Sequence, residues 1–88
     1  MGGKTASING RRVLILSAEV YKQFEEKRFE TEKPITTLSG CIAKAMICAG
    51  LKTEAREFNA KVWDYSVNQS GGVDEGFMAI LAEYIIIE

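Results

Sequence analysis

The chain reads as a mainly α protein with a short β ribbon, and three observations carry that reading. Val13-Leu14-Ile15-Leu16 is a brief apolar run with strand character, too short to be a helix. The segments that follow it show helical spacing of apolar residues, with capping residue types at their ends. Ile85-Ile86-Ile87 then restores strand propensity far along the chain. Residues 11–51 form the organising unit: a strand, a charged amphipathic helix and a nearly all-apolar helix. None of these three buries its apolar surface alone.

Eighty-eight residues, 47% hydrophobic and 26% charged, describe one globular domain. A chain this short buries only about 60 to 65% of its unfolded surface when it folds alone, which makes a homodimer the natural remedy. No apolar run reaches the roughly 18 to 20 residues that cross a bilayer, and the first ten residues lack a signal-peptide apolar region, so a cytoplasmic protein without membrane contact is expected. Cys41 and Cys48 fall about 10 Å apart along one helix, too far for a disulfide, and read as small core residues. Without any histidine, zinc ligation and histidine acid–base chemistry lose their ligand and base; no cofactor, no metal and no enzymatic activity are expected. Residues 1–34 carry seven bases and five acids, and residues 35–88 four bases and seven acids. The first twelve residues carry three bases and no acid, a small basic arm that suits a nucleic-acid-facing end or a solubilising tail alike.

Gly2-Gly3-Lys4-Thr5 imitates the end of a phosphate-binding loop but lacks its preceding strand, its first glycine and its following helix. Asn9-Gly10 is a turn dipeptide, and residues 1–10 read as a flexible basic arm. In the strand all four residues are apolar, so both of its faces want cover. Ser17 is placed to cap the next helix, with Glu19 at the positive end of its dipole. Val20, Tyr21 and Phe24 share one face of that helix, while Lys22, Glu26, Glu30 and Lys33 share the other; the helix must stop before Pro34.

Thr36, Thr37 and Ser39 offer capping hydroxyls for a second helix, in which only Lys44 interrupts an apolar surface. Its small residues Gly40, Ala43 and Ala45 would admit another helix across a twofold axis. Gly50 supplies the left-handed residue that ends it, with Leu51 folding back as the hydrophobic contact. Thr53 is placed to cap a third helix carrying Ala55, Phe58, Val62 and Tyr65 on one face, although residues 61–67 also alternate like a strand, and periodicity leaves both open. Residues 68–72 read as a flexible loop and Asp74 as the cap of a last helix through Phe77, Met78, Ile80, Leu81 and Tyr84. The Ile85-Ile86-Ile87 tail is too apolar to hang free, and would cover the first strand or a neighbouring subunit. Residues 52–88 thus read as a C-terminal extension packed on the core of 11–51.

The strand enters the first helix through Leu16-Ser17-Ala18-Glu19-Val20-Tyr21, and the second helix opens with Thr37-Leu38-Ser39-Gly40-Cys41-Ile42, followed by Ala45. On these residues the segment 11–51 resembles the ribbon-helix-helix family of small dimeric DNA-binding repressors and antitoxins. The resemblance implies a homodimeric transcription regulator. Two strands, one from each subunit, would pair as an antiparallel ribbon in the major groove of double-stranded DNA, and the start of each second helix would hold a phosphate. It further implies that Arg11, Val13 and Ile15 face the groove, that Arg12 and Lys4 reach phosphates, and that Thr37, Leu38 and Ser39 form the phosphate clamp. Leu14, Leu16, Ile42, Ala45 and Met46 would fill the dimer interface.

Val13 and Ile15 offer bases only contact with thymine methyl groups, and a pI of about 5.5 gives little attraction to phosphate. A second reading therefore stands beside the first: a non-enzymatic protein-interaction or inhibitor module of similar fold, whose apolar strand docks on a partner protein, for example at a sheet edge. The position of Ile85-Ile86-Ile87 against the first strand separates the two.

Overall fold

The computed structural model describes residues 4–28, 34–67 and 74–88. It is mainly helical with a small sheet: β1 (Lys4–Ile8), β2 (Arg11–Leu16), α1 (Ala18–Arg28), α2 (Pro34–Cys48), α3 (Lys52–Val67), α4 (Glu75–Ala82) and β3 (Ile85–Ile87). Glu30, Lys33 and the loop expected at 68–72 lie outside the described residues.

The first difference from expectation is at residues 1–10, where the basic arm gives way to strand β1 from Lys4 onward. The cause is the Asn9-Gly10 dipeptide. Both residues have positive φ, 52° and 80°, and a two-residue turn of that kind carries the right-handed twist that joins antiparallel strands. Ile8 then pairs with Arg11, Ala6 with Val13 and Lys4 with Ile15. On the other edge of β2, β3 pairs in parallel, Leu14 with Ile85 and Ile15 with Ile86. The tail therefore extends the sheet edge rather than lying over a face of the strand, and β2 is the central strand of three.

The caps at Ser17, Gly50 and Asp74 form as the residue types imply. The Ser17 hydroxyl accepts the Val20 N–H at 3.2 Å, and the Asp74 carboxylate accepts the Phe77 N–H at 3.0 Å. Gly50, at φ 87°, closes α2 with paired bonds from Leu51 N–H to the Met46 carbonyl (2.8 Å) and from Gly50 N–H to the Ile47 carbonyl (3.0 Å), the Schellman arrangement. The other expected capping residues lie inside helices. Pro34 opens α2, its fixed φ suiting the first helical position, so Thr36, Thr37 and Ser39 fall within the helix. Thr53 falls in the first turn of α3, which begins at Lys52. Residues 61–67 are helical, because Val62 completes the buried face begun by Ala55 and Phe58.

One hydrophobic cluster joins both halves of the chain. Leu14 and Leu16 from β2, Leu38, Ile42 and Met46 from α2, Phe58 from α3, and Phe77, Leu81 and Tyr84 from the C-terminal part all belong to it. Phe58 and Tyr84 meet edge to face, their ring centroids 5.5 Å apart. Of the two cysteines expected in the core, Cys41 is half-buried and Cys48 is exposed.

Candidate functional site

Residues that pair across strands share a face. Leu14, Leu16 and Ile85 point into the helical core, so Ala6, Ile8, Arg11, Val13, Ile15 and Ile86 lie on the outer face of the sheet. This outer face is apolar for most of its width. Ile8 is 45% exposed while Val13 is 3% exposed, and a cavity of about 390 Å³ opens between Ile8, Val13, Ile86 and the Arg11–Glu83 pair.

Arg11 does not project freely from this face. It and Lys61 of α3 both donate to Glu83 Oε1 at 3.2 Å. The Arg11 guanidinium lies 4.8 Å from the centre of the fully buried Tyr84 ring, and the Lys61 ammonium 5.4 Å from it, both within cation–π range. The hydrogen bonds from Lys61 and Arg11 hold the Glu83 carboxyl below its ordinary value, and the same bonds raise the two cations. This cluster pins the β2 entry, α3 and the turn before β3 to one another.

The edges of the sheet differ from its face. In a two-residue hairpin the flanking residues form a hydrogen-bonded pair, so Ile8, Ala6 and Lys4 turn their backbone groups toward β2, while Thr5 and Ser7 turn theirs outward. Among the described residues no strand pairs with that outer edge. β2 itself is occupied on both edges: besides β1 it binds the segment around β3, with Leu14 N–H bonding the Tyr84 carbonyl and Glu88 N–H the Leu16 carbonyl, both at 2.9 Å. It can pair with β2 of a second copy only if β1 or β3 leaves.

The residues singled out from the sequence therefore land in different environments. Arg11, Val13, Ile15 and Lys4 share the outer face, but Val13 is buried and Arg11 is engaged by Glu83. Arg12 is exposed and pairs with Ser7 in the hairpin. Thr37, Leu38 and Ser39 do not form a helix start. Leu38 is 0% and Ser39 6% exposed, and helix α2 begins at Pro34, so the N–H groups of Leu38 and Ser39 lie beyond the four free ones of its first turn. The expected interface residues are internal: Leu14, Leu16, Ile42 and Met46 sit in the chain's own core, with Ala45 half-buried against it. A second copy would find none of those four exposed.

A second surface went unnoticed in the sequence. Between α2 and α3 runs a cavity of about 530 Å³ lined by Ser39, Gly40, Ala60 and Trp63, and Trp63 is 70% exposed beside it. The available signal was weak: Trp63 lies off the Ala55-Phe58-Val62 stripe, on a flank of the helix. Among the described residues no group of histidine, cysteine, aspartate or glutamate side chains gathers to hold a metal ion, and no helix is long and apolar enough to cross a membrane. The comparisons with protein-family models, with curated proteins and with solved structures returned no match to this chain.

Proposed function

We propose that the chain is a non-enzymatic interaction module that takes an extended segment of a partner protein against strand β1. The observation that carries this reading is the outward edge of β1: Thr5 and Ser7 present backbone donors and acceptors that no described strand satisfies, beside an apolar face containing the exposed Ile8. Strand addition supplies affinity through main-chain hydrogen bonds, and side-chain recesses supply selectivity. The recess between Ile8, Val13 and Ile86 is the nearest to this edge on the outer face.

The test uses Ser7→Pro. Proline there removes an outward N–H and leaves the β2 ladder intact, since proline is tolerated on an edge whose N–H faces solvent. Peptides selected from an extended-peptide library should protect the β1 amides from hydrogen exchange in the wild type and lose binding in Ser7→Pro, while Ser7→Ala binds as before. Library peptides that bind Ser7→Pro as tightly as wild type would sink the reading.

One observation favours the DNA-binding alternative. The β1–β2 hairpin is antiparallel and bears Lys4, Arg11 and Arg12. A two-stranded ribbon fits a major groove, so this hairpin would enter one without a second subunit once β3 leaves the edge of β2. Duplex DNA bound at low salt, with affinity that Arg12→Ala weakens and Ser7→Pro spares, would replace the protein-edge reading with this one.

A further inference from the structure

On α3, Lys52, Arg56, Asn59, Trp63 and Val67 recur at helical spacing along one stripe, and all five are exposed. On α2, Gly40, Lys44 and Ile47 also recur at helical spacing and are exposed, with Ile47 at 51% and, on α3, Val67 at 63%. At the Trp63 end a cavity between the two helices is lined by Gly40, Asn59, Ala60 and Val62, and a Cβ added at Gly40 would meet nothing within 4 Å.

The charged residues of the two stripes, Lys44, Lys52 and Arg56, are all basic. α2 contains no acid, and its only basic residue is Lys44. The acids Glu54 and Glu57 of α3 line a different concavity, beside Asn9, Gly10 and Arg11 at the hairpin tip. Lys44, Lys52 and Arg56 form no ion pair among the described residues, whereas Arg11 and Lys61, on the far side of α3, both do. Asp64, next to Trp63, is the single acid near the apolar end.

The surface therefore has two ends. The Trp63 end is a recess of small side chains under an exposed indole, and the end near the α2–α3 turn has three cations. From Lys52 to Trp63 is eleven residues, about 16 Å along the helix, or about three helical turns. We infer that the α2–α3 groove binds an acidic amphipathic helix of a partner protein, about three turns long. Its apolar side chain occupies the recess over Gly40 and Ala60 beside Trp63, and its carboxylates, one to two turns away, meet Lys44, Lys52 and Arg56. Helix-in-groove recognition of this sort anchors on apolar side chains at i and i+4 and takes its orientation from flanking charge. A nucleic acid would use the same cations, but it has no use for the aliphatic exposure at Ile47 and Val67. This surface is separate from the β1 edge, so Ser7→Pro leaves it untouched.

Trp63 is the only tryptophan in the chain, which makes its fluorescence a direct reporter. The probes are three tryptophan-free synthetic peptides of about four turns. The first has leucines at i, i+4 and i+7 and glutamates on the flanking face; the second has lysines for the glutamates; the third has the first composition in scrambled order. The first peptide should shift Trp63 emission to shorter wavelength saturably, with affinity that falls as salt rises. The second and third should bind at least tenfold more weakly. With a fluorescent label on the first peptide, Arg56→Glu combined with Lys52→Glu should weaken binding at least tenfold, and Trp63→Ala by a similar factor; far-UV circular dichroism confirms that these exposed substitutions leave the fold intact. Four results would overturn the inference: no emission change at millimolar peptide, equal binding of the lysine peptide, an emission shift produced by raising the protein concentration alone, or tighter binding of a single-stranded oligonucleotide.

Discussion

The two halves of the chain differ in what they bring to the core. Residues 11–51 concentrate their apolar residues in two continuous elements: β2 is apolar throughout its middle, and α2 buries Leu38, Ile42 and Met46 completely. Residues 52–88 are as apolar in composition but more acidic, and they bury Phe58, Phe77, Leu81 and Tyr84 just as fully. The first half is a layer in search of a cover, and the second half is that cover. An unsatisfied apolar segment identifies the need for a partner surface, but not whether the surface comes from another copy or from the same chain.

The comparison breaks if the halves can be separated, and Phe58→Ala tests this with the largest expected effect. Truncating a fully buried phenylalanine should cost about 3 to 5 kcal/mol. Urea unfolding should then show one transition, with the β2 and α3 amides losing hydrogen-exchange protection together. Persistent β2 protection after α3 has lost its own would mean that 11–51 stands without its cover.

Ile85→Ala comes next, at about 2 kcal/mol, the low end for truncating a buried isoleucine, since β3 lies at a sheet edge. Its effect should appear as faster exchange at the Leu14 amide, which bonds to the Tyr84 carbonyl. Unchanged exchange there would show that β3 contributes nothing to holding β2.

Gly76→Ala sharpens the contrast inside the second half. A Cβ at Gly76 would collide with the Tyr65 ring, whose hydroxyl donates to the Asp74 carboxylate that caps α4. An overpacked contact of this kind costs about 1 to 2 kcal/mol. Thermal unfolding should register the loss, and Tyr65→Ala in the same chain should recover part of it by making room. An unaltered melting temperature for Gly76→Ala would mean that the ring moves aside freely.

The smallest effect is at Glu83, where the halves are tied by charge at an exposed site. Its carboxyl is depressed by the Lys61 and Arg11 hydrogen bonds. The stabilisation is therefore present above the ordinary glutamate value and is lost as pH falls through the depressed one. The wild type should lose more stability over that acid interval than Glu83→Gln does. Parallel pH profiles for the two would remove the tie from the account.

Local chemistry was legible from the sequence where one residue type decides the outcome. Ser17, Gly50 and Asp74 ended or began helices as their side chains or backbone freedom require. Lys4-Thr5-Ala6-Ser7-Ile8 was unreadable as a strand because its apolar content is low; it pairs because the Asn-Gly turn returns it to β2. The Arg11–Glu83 pair spans 72 positions, which no local pattern reports. The same limit applies to Trp63: a tryptophan ordinarily fills a core, and only the packing of Ala55, Phe58 and Val62 turns it outward.

The parallel pairing of β2 with β3 also has a consequence in time. Leu14 meets Ile85, so the central strand is completed by residues some seventy positions away. The entropy of closing a loop grows only slowly with its length, so the equilibrium cost of that distance is modest. The rate is more sensitive, because proteins dominated by distant contacts fold slowly. The hairpin and the α2–α3 pair are local and form early. Until β3 arrives, β2 has an open apolar edge, and that interval is when the chain is most exposed to pairing with strands other than its own.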